Sequence, residues 1–174
     1  MGRRSSAKVP PAARTSTPAL VLLTARQIVH AVHSFDHDPQ QTDFGREAAQ
    51  ALNADPTQVF KTLVWNVDGN LVLALAPVST TIAPKRLAAA LGARRAELAP
   101  SKAAERLSGS VVGAISPLGL RQQVPVVIDD SVLELTVVFV SAGRRGLEVS
   151  LAPADLIDVT SATTAGITAA SGHS

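Results

Sequence analysis

Between Val59 and Ala76 the chain carries two apolar runs rich in β-branched residues, joined by Asp68-Gly69. An Asp-Gly pair accepts the positive φ values of a two-residue turn, so residues 59–67 and 71–76 are expected to fold back as an antiparallel hairpin. Strand alternation puts Val59, Lys61, Leu63 and Trp65 on one face, and Phe60, Thr62 and Val64 on the other. A lysine among large apolar neighbours stands out, because burying an unpaired ammonium is expensive. Two readings are open: Lys61 serves a site, or it lies on an edge strand and snorkels to water.

The other elements follow from local signals. Thr17-Pro18 supplies an N-cap and first position for a helix. A strand is expected near 32–37, then a helix capped by Asp43 and running to Leu52. Residues 84–91 form a helix stopped by Gly92, followed by a strand over 95–98 and a helix over 101–107. Residues 124–128 and 136–140 are strands of β-branched character. Gly143-Arg144-Arg145-Gly146 turns into a strand over 147–151, and 153–157 is a short helix. Hairpins among interspersed helices rule out a purely parallel sheet. The fold class is α+β, a mixed sheet with flanking helices.

A chain of 174 residues is one domain with tails. The body is placed at 17–160, between a basic tail over 1–16 and a second tail over 161–174 rich in small and polar residues. Aromatics are only 3% of the chain, so the core must rest on Val, Leu, Ile and Ala. The absence of cysteine excludes disulfides, thiolate metal sites and a protein thiol nucleophile. The net charge of +2 is uneven: Arg3, Arg4, Lys8, Arg14 and Arg26 all precede the first acid, Asp36. Such a leader either attracts nucleic acid by neutralising phosphates or is simply solvated. The apolar run at 19–23 is too short for a signal peptide or a membrane helix, so a cytoplasmic protein is expected.

Several motifs mislead. Asp43-Phe44-Gly45 spells a kinase magnesium motif, yet no accompanying phosphate loop is present, and Asp43 is better explained as a helix cap. His33 and His37 would lie roughly 13 Å apart on a strand, too far to share a metal. Ser116 and His37 do not sit in a nucleophile-elbow pattern. Two stretches carry more information. Gly113-Ala114-Ile115-Ser116-Pro117-Leu118-Gly119 is either an ordinary turn or a loop that lets backbone approach a ligand. Ser141-Ala142-Gly143-Arg144-Arg145-Gly146-Leu147-Glu148 is either a charged hairpin turn or part of a site.

These two stretches, with His37-Asp38-Pro39, Thr42, Phe44-Gly45 and Phe60-Lys61-Thr62-Leu63 before them, resemble the YbaK family of Cys-tRNA(Pro) deacylases in order and spacing. The resemblance implies a mixed, largely antiparallel, β-barrel-like sheet surrounded by helices, as in the editing domain of some prolyl-tRNA synthetases. It also implies trans-editing: hydrolysis of the ester joining a wrong amino acid to tRNA, most of all Cys-tRNA(Pro). Carried over, Lys61 matches the family's signature lysine. Gly113 and Ser116 mark the loop whose N–H groups would receive the carbonyl oxygen. Phe35, Thr62, Ala114, Ile115, Pro117, Ser141, Gly143 and Glu148 fall at substrate-binding positions. Three of these depart from the family. Phe35 lacks a tyrosine hydroxyl, Ala114 replaces a glycine, and Glu148 is one methylene longer than the usual aspartate.

The resemblance implies no cofactor and no metal. The partners are misacylated tRNA(Pro) and, as a candidate, prolyl-tRNA synthetase. In the implied mechanism the cysteine thiol of the substrate attacks its own carbonyl, so the enzyme mainly positions and stabilises. The alternatives are a deacylase of the same fold for Ala- or Ser-tRNA, and a non-catalytic tRNA- or synthetase-binding module.

Overall fold

The computed structural model describes residues 16–169. In chain order it contains α1 (Pro18–Ala25), β1 (His30–Ser34), α2 (Phe44–Ala51), β2 (Phe60–Val67), β3 (Asn70–Pro77), α3 (Pro84–Ala90) and β4 (Ala96–Leu98). There follow α4 (Ser101–Ser108), β5 (Val126–Asp129), a 3-10 turn (Asp130–Glu134), β6 (Val138–Arg144), β7 (Leu147–Leu151), α5 (Pro153–Thr160) and β8 (Thr163–Ala165).

The hairpin is built as its sequence requires. Val67 pairs with Asn70 across Asp68 (φ +49°) and Gly69 (φ +88°). The Asp68 carboxylate accepts the N–H groups of Arg94 and Arg95, which draws β4 alongside β2. Side-chain caps start two helices. Thr17 Oγ1 accepts from Leu20 N–H at 3.3 Å and donates to the Ala142 carbonyl at 2.6 Å, tying α1 to β6. Asp43 caps α2 by accepting from Arg46 N–H.

Two sheets result. One has the order β1-β7-β6, all antiparallel; the other has the order β4-β2-β3-β5-β8. In the second, β3-β5 and β5-β8 are parallel and the other pairs antiparallel. Among the described residues, an isolated bridge between Val59 and Phe139 links the sheets. They do not close, so the mixed α+β class holds while the barrel-like expectation is corrected.

The main core lies between the sheets. Phe60, Val64, Leu73 and Leu75 from the hairpin meet Val138, Val140, Val149 and Leu156 there. Trp65, Val72, Ala74 and Ala76 point the opposite way, into a second core with Leu87 of α3. A third, small cluster of Ala48, Ala49 and Val59 seats α2, with Phe35 and Phe139 packed against it.

The chain end departs from expectation. Residues from 161 onward were expected to form a tail, but Thr163–Ala165 adds a strand to β5 and Ile167 is fully buried. Ile167 N–H also donates to Asp129 Oδ1 at 3.1 Å. The expected tail residues 1–15 and 170–174 lie outside the described residues. If the segment after 160 belongs to the body, Ile167→Ala should cost about 2–5 kcal/mol, read as a lower urea midpoint at unchanged slope. An unchanged midpoint would return this segment to the status of a tail.

Candidate active site

Four pieces of chain converge at the open end of the β2-β3 hairpin. They are the first turn of α2, the start of β2, the loop before and around Gly113, and the β6-β7 hairpin. Between them lies a cavity of about 220 Å³. Thr42, Phe44, Val59, Phe60, Leu63, Val78, Val112 and Ile115 form much of its wall, and Asp43, Lys61, Thr62, Ser141 and Glu148 its polar part.

The loop is held in place by side chains far away in sequence. Gly113 has φ +87°, and a Cβ there would fall 2.5 Å from Cδ2 of Phe44, so only glycine lets the backbone lie on that ring. Arg145 sits over the same phenyl group, 4.8 Å from its centroid, and donates from Nε and Nη2 to the Val112 carbonyl at 3.1 and 2.7 Å. Ser141 Oγ donates to the Ala114 carbonyl at 3.0 Å and accepts from Gly143 N–H at 3.2 Å.

The polar groups inside are under electrostatic stress. Lys61 is half-buried and Nζ donates to the Thr80 carbonyl at 2.5 Å. Loss of solvation lowers its pKa below the ordinary lysine value, with the nearby charge of Asp43 pulling the other way. Burial pushes the Glu148 carboxyl up to about 8. Glu148 Oε2 and Thr62 Oγ1 are both shut off from solvent, with no hydrogen-bond partner among the described residues. An unsatisfied buried polar atom costs about 1–3 kcal/mol, and two of them belong to side chains that line this one small cavity, while a third, Trp65 Nε1, lies in the second core.

The structure gathers Lys61, Thr62, Gly113, Ile115, Ser141 and Glu148 around this cavity. It does not bring in the other expected residues. Ser116 Oγ is buried and accepts from Leu118 N–H at 3.2 Å, and this residue lines a separate 110 Å³ cavity with Pro18 and Gly143. Pro117 borders a groove with Leu22 and Val159. Ala114 is fully buried, and Phe35 packs among the residues that seat α2. Phe44 and Val112 were missed as site residues; the Phe44-Gly45 pair was visible as a motif, whereas Val112 carried no signal beyond apolarity.

The three histidines among the described residues are engaged elsewhere. His30 Nδ1 lies 2.7 Å from the Ile28 carbonyl, His33 Nε2 2.8 Å from Ser150 Oγ, and His37 Nδ1 2.6 Å from Glu47 Oε1. Among the described residues no three His, Asp or Glu side chains come together as metal ligands do.

The combination of a two-sheet α+β body and a small cavity edged by a lysine and a buried acid defines a class. Residues 38–159 match the family model of the aminoacyl-tRNA editing domain, and the chain belongs to that family. The resemblance read from the four motifs is therefore borne out. Over 122 residues the chain is 33% identical to a protein of Enterococcus faecalis named as a Cys-tRNA(Pro)/Cys-tRNA(Cys) deacylase, EbsC, covering 69% of this chain and 74% of that one. It is 35% identical over 103 residues to a proline–tRNA ligase of Lysinibacillus sphaericus, covering 59% of this chain and 18% of the ligase. In fold it matches a crystal structure described as a trans-editing enzyme for prolyl-tRNA synthetase, with a TM-score of 0.76 at 22% identity, covering 93% of this chain and 99% of that one. Among the described residues no helix is long and apolar enough to cross a membrane.

The buried acid predicts a stability profile. The folded protein keeps Glu148 protonated to about pH 8, whereas an ordinary glutamate releases its proton near 4.5. Between these values the folded form binds the extra proton, so rising pH removes stability, on the order of a few kcal/mol by pH 8, with no further loss above it. Glu148→Gln should abolish this decline. Urea midpoints at pH 5, 7 and 9 check it: parallel profiles for mutant and wild type would contradict a raised Glu148.

Proposed function

We propose that this chain clears misacylated tRNA by hydrolysing the aminoacyl ester, with Cys-tRNA(Pro) as its principal substrate. The observation that carries the reading is the convergence of Lys61, Thr62 and Glu148 on one small cavity in a chain of the editing family. At about 30 Å³ per water, the cavity has room for about seven water-sized atoms, enough for a cysteinyl group but not for a nucleoside. The amino acid would enter, and the terminal ribose would remain at the mouth.

Lys61 spends one donor on the Thr80 carbonyl and keeps others for a phosphate or ribose oxygen. In the loop stitched by Arg145 and Ser141, the N–H groups of Val112 and Ala114 are spent on Glu105 and on the Val111 carbonyl, which leaves the Gly113 N–H as the donor for the carbonyl oxygen as charge develops. The chain has no cysteine, and among the described residues no histidine lines the cavity. That supports a reaction in which the substrate thiol attacks its own carbonyl carbon, the ester C–O bond breaks, the thiol proton passes to the departing ribose oxygen, and the amino acid leaves as a thiolactone that water then opens, so that the net change is hydrolysis. Holding thiol and carbonyl in a near-attack geometry is then the main catalytic contribution. The family relation to proline–tRNA ligases makes prolyl-tRNA synthetase the candidate partner that supplies the substrate.

A deacylation panel tests this. Cys-tRNA(Pro) should be cleared much faster than Ser-tRNA(Pro), whose hydroxyl is little ionised near neutral pH, and S-alkylated Cys-tRNA(Pro) hardly at all. Rapid hydrolysis of the alkylated substrate would point to an activated water instead. A preference for Ala-tRNA would reassign the acyl specificity. Lys61→Ala should lower kcat/KM about 10- to 100-fold while the protein stays folded. Wild-type turnover by that variant would remove Lys61 from the machinery.

A further inference from the structure

We propose that Glu148 receives the α-amino group of the amino acid, so that the cavity accepts aminoacyl esters with a free amine and discriminates against those without one. This rests on the editing reading of the cavity and adds the group of the substrate that its buried acid recognises.

Glu148 lies on β7, paired across the sheet with Ser141 of β6 on one side and His33 of β1 on the other. Each polar neighbour is already engaged. Ser141 Oγ is bonded to Ala114 and Gly143, His33 Nε2 to Ser150 Oγ, and Lys61 Nζ of β2 to the Thr80 carbonyl. Asp43, at the start of α2, is a second acid on the same cavity and caps its own helix. Arg145, from the β6-β7 turn, is committed to Val112 and stands over Phe44. Among the described residues none of these forms an ion pair with Glu148. Among the described residues that line the cavity, Thr62 Oγ1 and Glu148 Oε2 are the buried side-chain oxygens left without a partner.

An acid buried with no cation is neutral and carries a proton to give. The α-amine is the one basic nitrogen on a cysteinyl group. When it enters uncharged, the Glu148 proton either bridges to the nitrogen or passes to it, leaving carboxylate against ammonium. In both arrangements the pair adds no net charge to an apolar enclosure, so the desolvation cost of a lone ion is avoided. Thr62, which lines the same cavity with its Oγ1 unpartnered, is the candidate acceptor for a second N–H of the same amine. An ester, a thiol or an amide nitrogen offers no lone pair basic enough to accept this proton.

The test uses non-hydrolysable amides of 3′-amino-3′-deoxyadenosine, so that it does not depend on turnover. Calorimetry at neutral pH compares the cysteinyl amide with the 3-mercaptolactyl amide, in which a hydroxyl of similar size replaces the amine. Wild type is expected to bind the amine form about 10- to 100-fold more tightly. Glu148→Gln, which keeps the shape but cannot share a proton, should reduce that ratio to a few-fold. N-acetylcysteinyl amide should bind wild type as weakly as the hydroxy form or more weakly. Equal affinity of wild type for the amine and hydroxy forms overturns the proposal, and so does a ratio unchanged in Glu148→Gln. If that variant does not fold, the wild-type comparison decides. Absence of turnover on every misacylated tRNA counts against the editing reading, while the analogue comparison still decides on Glu148.

Discussion

The β2-β3 hairpin is buried on both faces, and the rest of the molecule is arranged around that demand. Phe60, Val64, Leu73 and Leu75 need the other sheet as cover; Trp65, Val72, Ala74 and Ala76 need α3. Each large aliphatic side chain withdrawn from water contributes about 1.5–3 kcal/mol, so exposing either face would be ruinous for a domain of this size. Two-sided burial also pins the register, because a slip of one residue would exchange the two sets of side chains. With few aromatics in the chain, the fit is made largely by aliphatic residues and alanines.

That fixed register delivers Lys61 and Thr62 to the place where β6 and β7 present Ser141 and Glu148. The remaining wall is a loop that could not hold its shape alone. It is pressed onto Phe44 at Gly113, clamped at Val112 by Arg145, and tied at Ala114 by Ser141. Every one of these contacts spans a large sequence separation. The enclosure therefore forms only when the whole fold does, and its two unsatisfied polar atoms are tolerated because the surrounding cores over-determine their positions.

A cavity of this kind recognises more than it reacts. It offers a half-buried cation, a buried neutral acid and a hydroxyl against apolar walls, which suits a small aminoacyl group with its ribose left outside. In the proposed substrate-assisted reaction, the protein's contribution is position within a shaped space. The departures at Phe35, Ala114 and Glu148 carry unequal weight. Phe35 and Ala114 are packed away from the cavity, so the missing hydroxyl and the added methyl act on support rather than on contact. Glu148 alone lies on the cavity itself.

Local chemistry made much of this legible beforehand. The Asp-Gly turn, the Thr17 and Asp43 caps, the alternation along β2 and the four motifs of the family are properties of short windows. Lys61 stood out because its window was otherwise apolar. The strand at Thr163–Ala165 and the burial of Ile167 were not legible, because a run of small and polar residues looks like a tail until the edge of β5 pairs with it. Ser116 shared a motif with Gly113 and yet lines a different cavity, since the loop's course depends on Phe44 and Arg145 as well as on its own glycine. The sequence by itself determined the hairpin, the helix starts, the lack of any thiol and the family. Only the tertiary structure decided which side chains share one enclosure and which form of Glu148 it holds, because solvation depends on what packs against a group, and here that comes from residues far apart along the chain.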